Sequence, residues 1–302
     1  MRTYLDCIPC LVRQALEAVR TAIPDADEQE RLMRRVLTDL AHFSFAEPPP
    51  VMGTHIHRLV REETGCADPY REAKQASNSL ALELVAELGP QVESSADPFG
   101  AALRLAVAAN VIDLGAKAGH DASPTAVRAA LRKAMHEQVA GDGPAALRQA
   151  LEAADRVLYL TDNAGEIAFD RLLIGQMPPA QVTVAVRGGP IINDATLDDA
   201  RQVGIGDVAR LTTTGAQVPG IILEQCSPEF RTLFRDADVV IAKGQGNYET
   251  LSEADRRIFF LLRTKCPVLA RDTGRSVGEL VVMTQEERAV QMSEHGGGAA
   301  AQ

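Results

Sequence analysis

Two Asp/Asn pairs and a lysine placed ahead of closely spaced glycines are the residues of this chain best suited to chemistry. Thr161-Asp162-Asn163-Ala164-Gly165-Glu166 sets a carboxylate beside a carboxamide, and Arg187-Gly188-Gly189-Pro190-Ile191-Ile192-Asn193-Asp194 ends on the same two residue types. Hard oxygen donors of this kind suit a divalent cation such as Mn, Mg, Co or Ni. Asp162, Asn163 and Asp194 are the candidate metal ligands; each also fits the alternative role of capping the helix that follows. Lys243-Gly244-Gln245-Gly246-Asn247 reads as a Gly-rich turn whose amides face an anion while Lys243 supplies a point charge. Lys265 either adds to that charge or simply favours a helix C-terminus. Such a constellation suits attack on a phosphate monoester, with Asp162, Asp194 and Lys243 as catalytic groups and Gly244, Gln245, Asn247 and Lys265 on the substrate side. The attacking group is either water or Asp162 itself.

These residues require strands to carry them. From residue 156 onward, short β-branched runs at 157–161, 182–187, 208–212, 239–242 and 267–270 alternate with helical stretches at about 165–176, 195–203, 219–234 and 253–264. That alternation predicts a doubly wound, mostly parallel α/β sheet with helices on both faces. In such sheets ligands bind beyond the carboxyl ends of the strands, which is where the polar junctions fall. Adjacent strands lie about 4.7–4.9 Å apart, so the Asp162 and Asp194 junctions can share one ion if their strands are neighbours. Residues 9–152 instead show helical periodicity throughout, with Leu11, Val12, Ala15, Leu16 and Val19 on one face. The expected organisation is a helical domain at 1–152, an α/β metal- and phosphate-binding domain at 153–290 and a disordered tail at 291–302.

The 302 residues carry a formal charge of −10 and 46% hydrophobic content, so the chain can bury a large core but is poorly suited to nucleic acid or anionic lipid. No apolar run approaches the roughly 18 residues of a membrane span, and Asp6 falls where a signal peptide would be apolar. A cytoplasmic protein is expected, with a small phosphorylated substrate and neither nucleic-acid nor membrane partners. Five cysteines, two of them in Cys7-x-x-Cys10, suit a reducing compartment; the pair is half of a metal set, a redox pair or neither.

Taken together, Asp162-Asn163-Ala164-Gly165-Glu166, Asn193-Asp194 and Lys243-Gly244-Gln245-Gly246-Asn247 resemble the damage-control phosphatase family, also known as domain of unknown function 89. Cys7-Ile8-Pro9-Cys10, Asp68-Pro69-Tyr70 with Lys74 and Asn78, and Asn110-Val111-Ile112-Asp113 resemble its prokaryotic branch. The resemblance implies a divalent cation on Asp162, Asn163 and Asp194 and clean-up hydrolysis of small phosphorylated metabolites, sugar phosphates included. One departure is Ala109, where the family has glycine. Asn110 and Asp113, three apart on a predicted helix, either face the substrate, satisfy each other or cap a neighbouring helix. Two other classes compete: an S-adenosylmethionine-dependent methyltransferase, which needs a Gly-rich loop after the first strand, and a non-catalytic metal- or metabolite-binding protein, which would bind phosphate esters without releasing phosphate.

Overall fold

The computed structural model describes residues 1–112, 123–178 and 181–287. Asp113 and the expected tail at 291–302 lie outside the described residues.

The chain begins with three helices that pack on one another. In α1 (Ile8–Ala22), Leu11, Ala15, Ala18 and Val19 recur at helical spacing and form the buried face. Asp25 caps α2 (Ala26–Ala41) by accepting from Glu28 N, and Leu32, Val36 and Leu40 bury its inner stripe. The third, α3 (Pro49–Thr64), starts on prolines whose missing N–H groups no helix would use, and stops at Gly65. These three share one apolar cluster.

Four further helices, α4 (Arg71–Glu93), α5 (Pro98–Ala108), α6 (Pro124–Ala134) and α7 (Gly143–Glu152), join a different cluster, shared with the sheet. The strands are β1 (Arg156–Leu160), β2 (Gln181–Val186), β3 (Arg210–Thr213), β4 (Val239–Lys243), β5 (Phe259–Arg263) and β6 (Leu280–Met283), in spatial order β3-β2-β1-β4-β5-β6. All neighbours are parallel except β6, which runs antiparallel to β5. Between them lie α8 (Glu166–Ile174), α9 (Leu197–Gln202), α10 (Pro228–Asp236), α11 (Gly244–Leu251) and α12 (Pro267–Thr273).

Alternation along each strand divides the core. Val157, Tyr159, Val184, Ile241, Phe259 and Leu261 face α4, α5 and α8, whereas Leu158, Leu160, Val240, Ala242 and Phe260 face α10, α11 and α12. Helices therefore cover both faces, as the sequence predicts. Among the described residues no helix is long and apolar enough to cross a membrane.

Four elements differ from the sequence reading. The expected strand at 267–270 is α12, because Pro267 occupies a first-turn position and Cys266 Sγ accepts from Leu269 N as a cap. The true fifth strand, β5, lies inside the expected crossover helix at 253–264, since a continuous apolar run buried on two faces has no periodicity to separate it from a buried helix. The stretch 219–234 is α-helical only from Pro228, after a 3-10 turn at Leu223–Gln225, and β6 has no counterpart in the reading. From β1 the chain builds outward to β2 and β3, then returns to place β4 on the other side of β1. The crevice this creates lies at the carboxyl ends of β1 and β4.

Candidate functional site

The β1–α8 and β2–α9 junctions are tied together by backbone. Ala164 N donates to Asn193 O at 2.9 Å, Ala195 N donates to Asp162 O at 2.8 Å, and Asn163 and Asp194 form an isolated antiparallel bridge. This pairing carries Asp162, Asn163 and Asp194 to one wall of a cleft of about 610 Å³. The same cleft is lined by Gln245, Gly246 and Glu249 of α11, Lys265 after β5, and Arg13, Gln14 and Glu17 of α1. Lys265 is thus a strand-end residue, following β5 and not preceding a fifth strand as expected.

Beneath that wall lies a buried layer of charge. Lys243, fully buried, donates through Nζ to Glu166 Oε1 at 2.7 Å, Asp170 Oδ1 at 2.5 Å and Ala106 O at 2.9 Å. Tyr159 OH also donates to Asp170. Asn163 Nδ2 donates to Asp162 Oδ2 at 2.8 Å and to Glu166 Oε2 at 3.1 Å, and Asn110 Nδ2 donates to the same two oxygens. With its NH₂ held by this layer, the planar Asn163 amide turns its Oδ1 the other way. Arg187 Nε holds Asp194 Oδ2 at 2.6 Å, while its NH1 reaches Gly220 O and Asn247 Oδ1.

The expected phosphate-side residues therefore separate into two groups. Gln245 and Lys265 line the cleft. Lys243 does not: the strand alternation that buries Val239 and Ile241 toward α5 and α8 sends its side chain the same way. Asn247 is also below the surface, donating to Thr161 O and Lys243 O and so tying the ends of β1 and β4. Asn110 braces Asp162 and Glu166; Ala109 in place of glycine does not keep it away. The Gly-rich turn is the first turn of α11, and Gly244 has a specific reason to be glycine. Its φ is +81° and any Cβ there would overlap the Asp162 carboxylate. Gly244→Ala is accordingly expected to cost about 1–3 kcal/mol through backbone strain and at least ~10²-fold in turnover through displacement of Asp162, read by thermal unfolding and phosphate release.

A second network braces the site from α4. Asn78 Oδ1 accepts from Gly165 N at 2.7 Å while its Nδ2 donates to Asp199 Oδ1, and Lys74 bridges Asp68 at 2.9 Å and Asp199 at 3.4 Å. Lys74 and Asn78 thus hold the β1–α8 junction from outside the sheet. Cys7 and Cys10 are free and lie at the cleft rim beside Cys266. His55 is engaged by Asp39.

Electrostatics follow from this crowding. Burial, reinforced by Glu166 and Asp194, pushes Asp162 well above the usual carboxylate range against the pull of Lys265 and Arg187. Burial also works to raise Glu166, but Lys243 with the Asn110 and Asn163 amides holds it below its ordinary value. Four buried carboxylates, Asp162, Glu166, Asp170 and Asp194, face two buried cations, Lys243 and Arg187, an excess of two negative charges when all are ionised. Among the described residues no three His, Cys, Asp or Glu side chains cluster as a metal set; the oxygen set here is two carboxylates and a carboxamide. Its donor chemistry and its excess charge fit a divalent cation.

Fold and cleft define an α/β protein with a cavity at the switch point of a doubly wound sheet. Residues 3–281 match the damage-control phosphatase ARMT1-like domain. A damage-control phosphatase of Pyrococcus horikoshii is 34% identical over 288 residues, covering 94% of this chain and 98% of that one. Another, of Archaeoglobus fulgidus, is 34% identical over 285 residues, covering 93% and 98%. The crystal structure of a DUF89 family protein from Pyrococcus horikoshii superposes with a TM-score of 0.85 at 33% identity, over 94% of this chain and 99% of that one. The chain belongs to the damage-control phosphatase family.

Proposed function

We propose that the cleft hydrolyses small phosphorylated metabolites with the aid of one divalent cation held by Asp162, Asn163 and Asp194. The observation that carries this is the backbone bridge between the two acidic junctions, which aims three oxygen-bearing side chains into one cavity above a layer with net negative charge. A bound cation supplies positive charge that neutralises the phosphoryl oxygens as they transfer. Lys265 adds charge to the same cavity, and the first amides of α11 point along a helix axis whose positive end favours an anion. Lys243 acts at a distance from substrate: it keeps Glu166 ionised, and Glu166 keeps the Asn163 amide turned. Arg187 holds the Asp194 carboxylate in position through Nε. A methyltransferase reading finds no support, because Gly165, the only glycine in the β1 junction, is committed to the start of α8 and to Asn78.

Phosphate release from a panel of phosphomonoesters is expected to vanish after dialysis against a chelator. Re-addition of Mn, Mg, Co or Ni should restore it, with the ions ranked by their fit to oxygen ligands. Binding of the esters without any phosphate release, across all four ions, overturns the catalytic reading in favour of a binding protein.

A further inference from the structure

We propose that Glu249 is the catalytic acid that delivers a proton to the leaving oxygen of the substrate, an inference that rests on the phosphatase reading above. Glu249 and Gln245 are four residues apart on α11 and present one face to the cleft. Gln245 Nε2 donates to Glu249 Oε1 at 2.6 Å, which fixes the carboxyl group and leaves Oε2 as the oxygen able to carry a proton. The residue is only 7% exposed although it lines the cavity. Lys265 is a charged neighbour of both Asp162 and Glu249. A phosphate seated against Lys265 and the oxygen ligands therefore lies in the same cavity as the Glu249 carboxyl.

The surroundings favour a carboxyl that holds its proton near neutrality. Burial pushes Glu249 up to about 7, with Asp272 adding to the rise and the Gln245 hydrogen bond, the terminal ammonium and Lys265 opposing it. The thiols of Cys7 and Cys266 also face it and are themselves raised by burial, so they stay neutral there. An acid with this affinity suits protonation of an alkoxide in neutral solution.

The step balances without a further reagent. The phosphorus–oxygen bond to the alcohol breaks, its electron pair stays on the leaving oxygen, and the Glu249 proton joins it to give the alcohol. The oxygen of a water molecule becomes the new phosphate oxygen, one water proton is released to solvent, and Glu249 regains a proton from solvent.

Glu249→Gln separates this role from a structural one when two substrates are compared. Glycerol phosphate leaves as an alkoxide and needs the proton, whereas p-nitrophenyl phosphate leaves as a stable anion. The variant is expected to lose ~10²-fold in kcat on glycerol phosphate and less than about threefold on p-nitrophenyl phosphate. Equal loss on both substrates, or loss on neither, overturns the assignment. The wild-type protein provides a second readout that does not depend on the variant folding: kcat for glycerol phosphate should fall as pH rises through about 7, while that for p-nitrophenyl phosphate stays level. Parallel pH profiles for the two substrates overturn it as well. If the wild-type protein hydrolyses neither ester with any divalent ion, the phosphatase reading itself fails and this inference fails with it.

Discussion

Asp162→Asn is expected to reduce kcat/KM for phosphomonoesters by at least ~10³-fold, the upper range for removing one preorganised electrostatic group, without unfolding the protein. The side chain stays isosteric, and the backbone carbonyl that ties the β1 junction to Ala195 N is untouched. What changes is charge. In the native protein the Asp162 carboxylate is disfavoured by burial and by the neighbouring Glu166 and Asp194 carboxylates. Neutralising it removes a repulsion, so the metal-free variant should be as stable as the parent or more so, while catalysis collapses. The pH dependence carries the same sign. A carboxyl raised by folding stabilises the protein fully below its unfolded value, and that contribution is lost as pH rises through the folded value. Thermal unfolding in chelator should therefore show the parent losing stability above the ordinary carboxylate range, with the variant losing less. A variant that unfolds, or one that retains turnover, would remove Asp162 from the centre of the site.

Much of this site is written in residue order, because strand ends in a doubly wound sheet fix where ligands go. β1, β2 and β4 are legible as short apolar β-branched runs, and each is followed by the polar junction that defines the cleft. β5 is not, because Phe259 to Leu262 are buried on both faces and carry no alternation. The β6 edge is four residues long and antiparallel, so nothing in an alternating strand–helix pattern calls for it. Lys243 falls at the strand end the sequence indicates, but its side chain projects into the buried layer and not into the cleft. Parity held the answer: Val239, Ile241 and Lys243 must project to one face, and Glu166 and Asp170, four apart on α8, form the acidic patch to receive it. Arg187 is conspicuous as the residue just after β2, yet its partnership with Asp194 depends on the curl of the loop between them. The contribution of α1 to the cleft leaves no local signal at all, since its amphipathic pattern reads only as a helix packing on neighbours.

The relocation of Lys243 makes the second large prediction a contrast between two lysines. Lys243→Met is expected to cost about 3–5 kcal/mol of stability, because it strands charge in a place where water cannot compensate it. Glu166 and Asp170 lose their ammonium and Ala106 O loses its donor, all within the fully buried layer. At this chain length that corresponds to a fall in Tm on the order of 10 °C. Activity should fall too, but indirectly, as Glu166 gains a proton and releases the Asn163 amide. Lys265→Met should do the reverse, leaving Tm close to that of the parent and lowering kcat/KM by ~10²- to 10³-fold, because Lys265 lines the open cleft. A double variant distinguishes the causes: adding Asp170→Asn to Lys243→Met removes one of the stranded charges and should recover part of the lost stability, a coupling that independent sites do not show. If Lys243→Met instead melts like the parent and loses only turnover, its ammonium meets the substrate and the buried layer beneath Asp162 and Asn163 does not hold together as described.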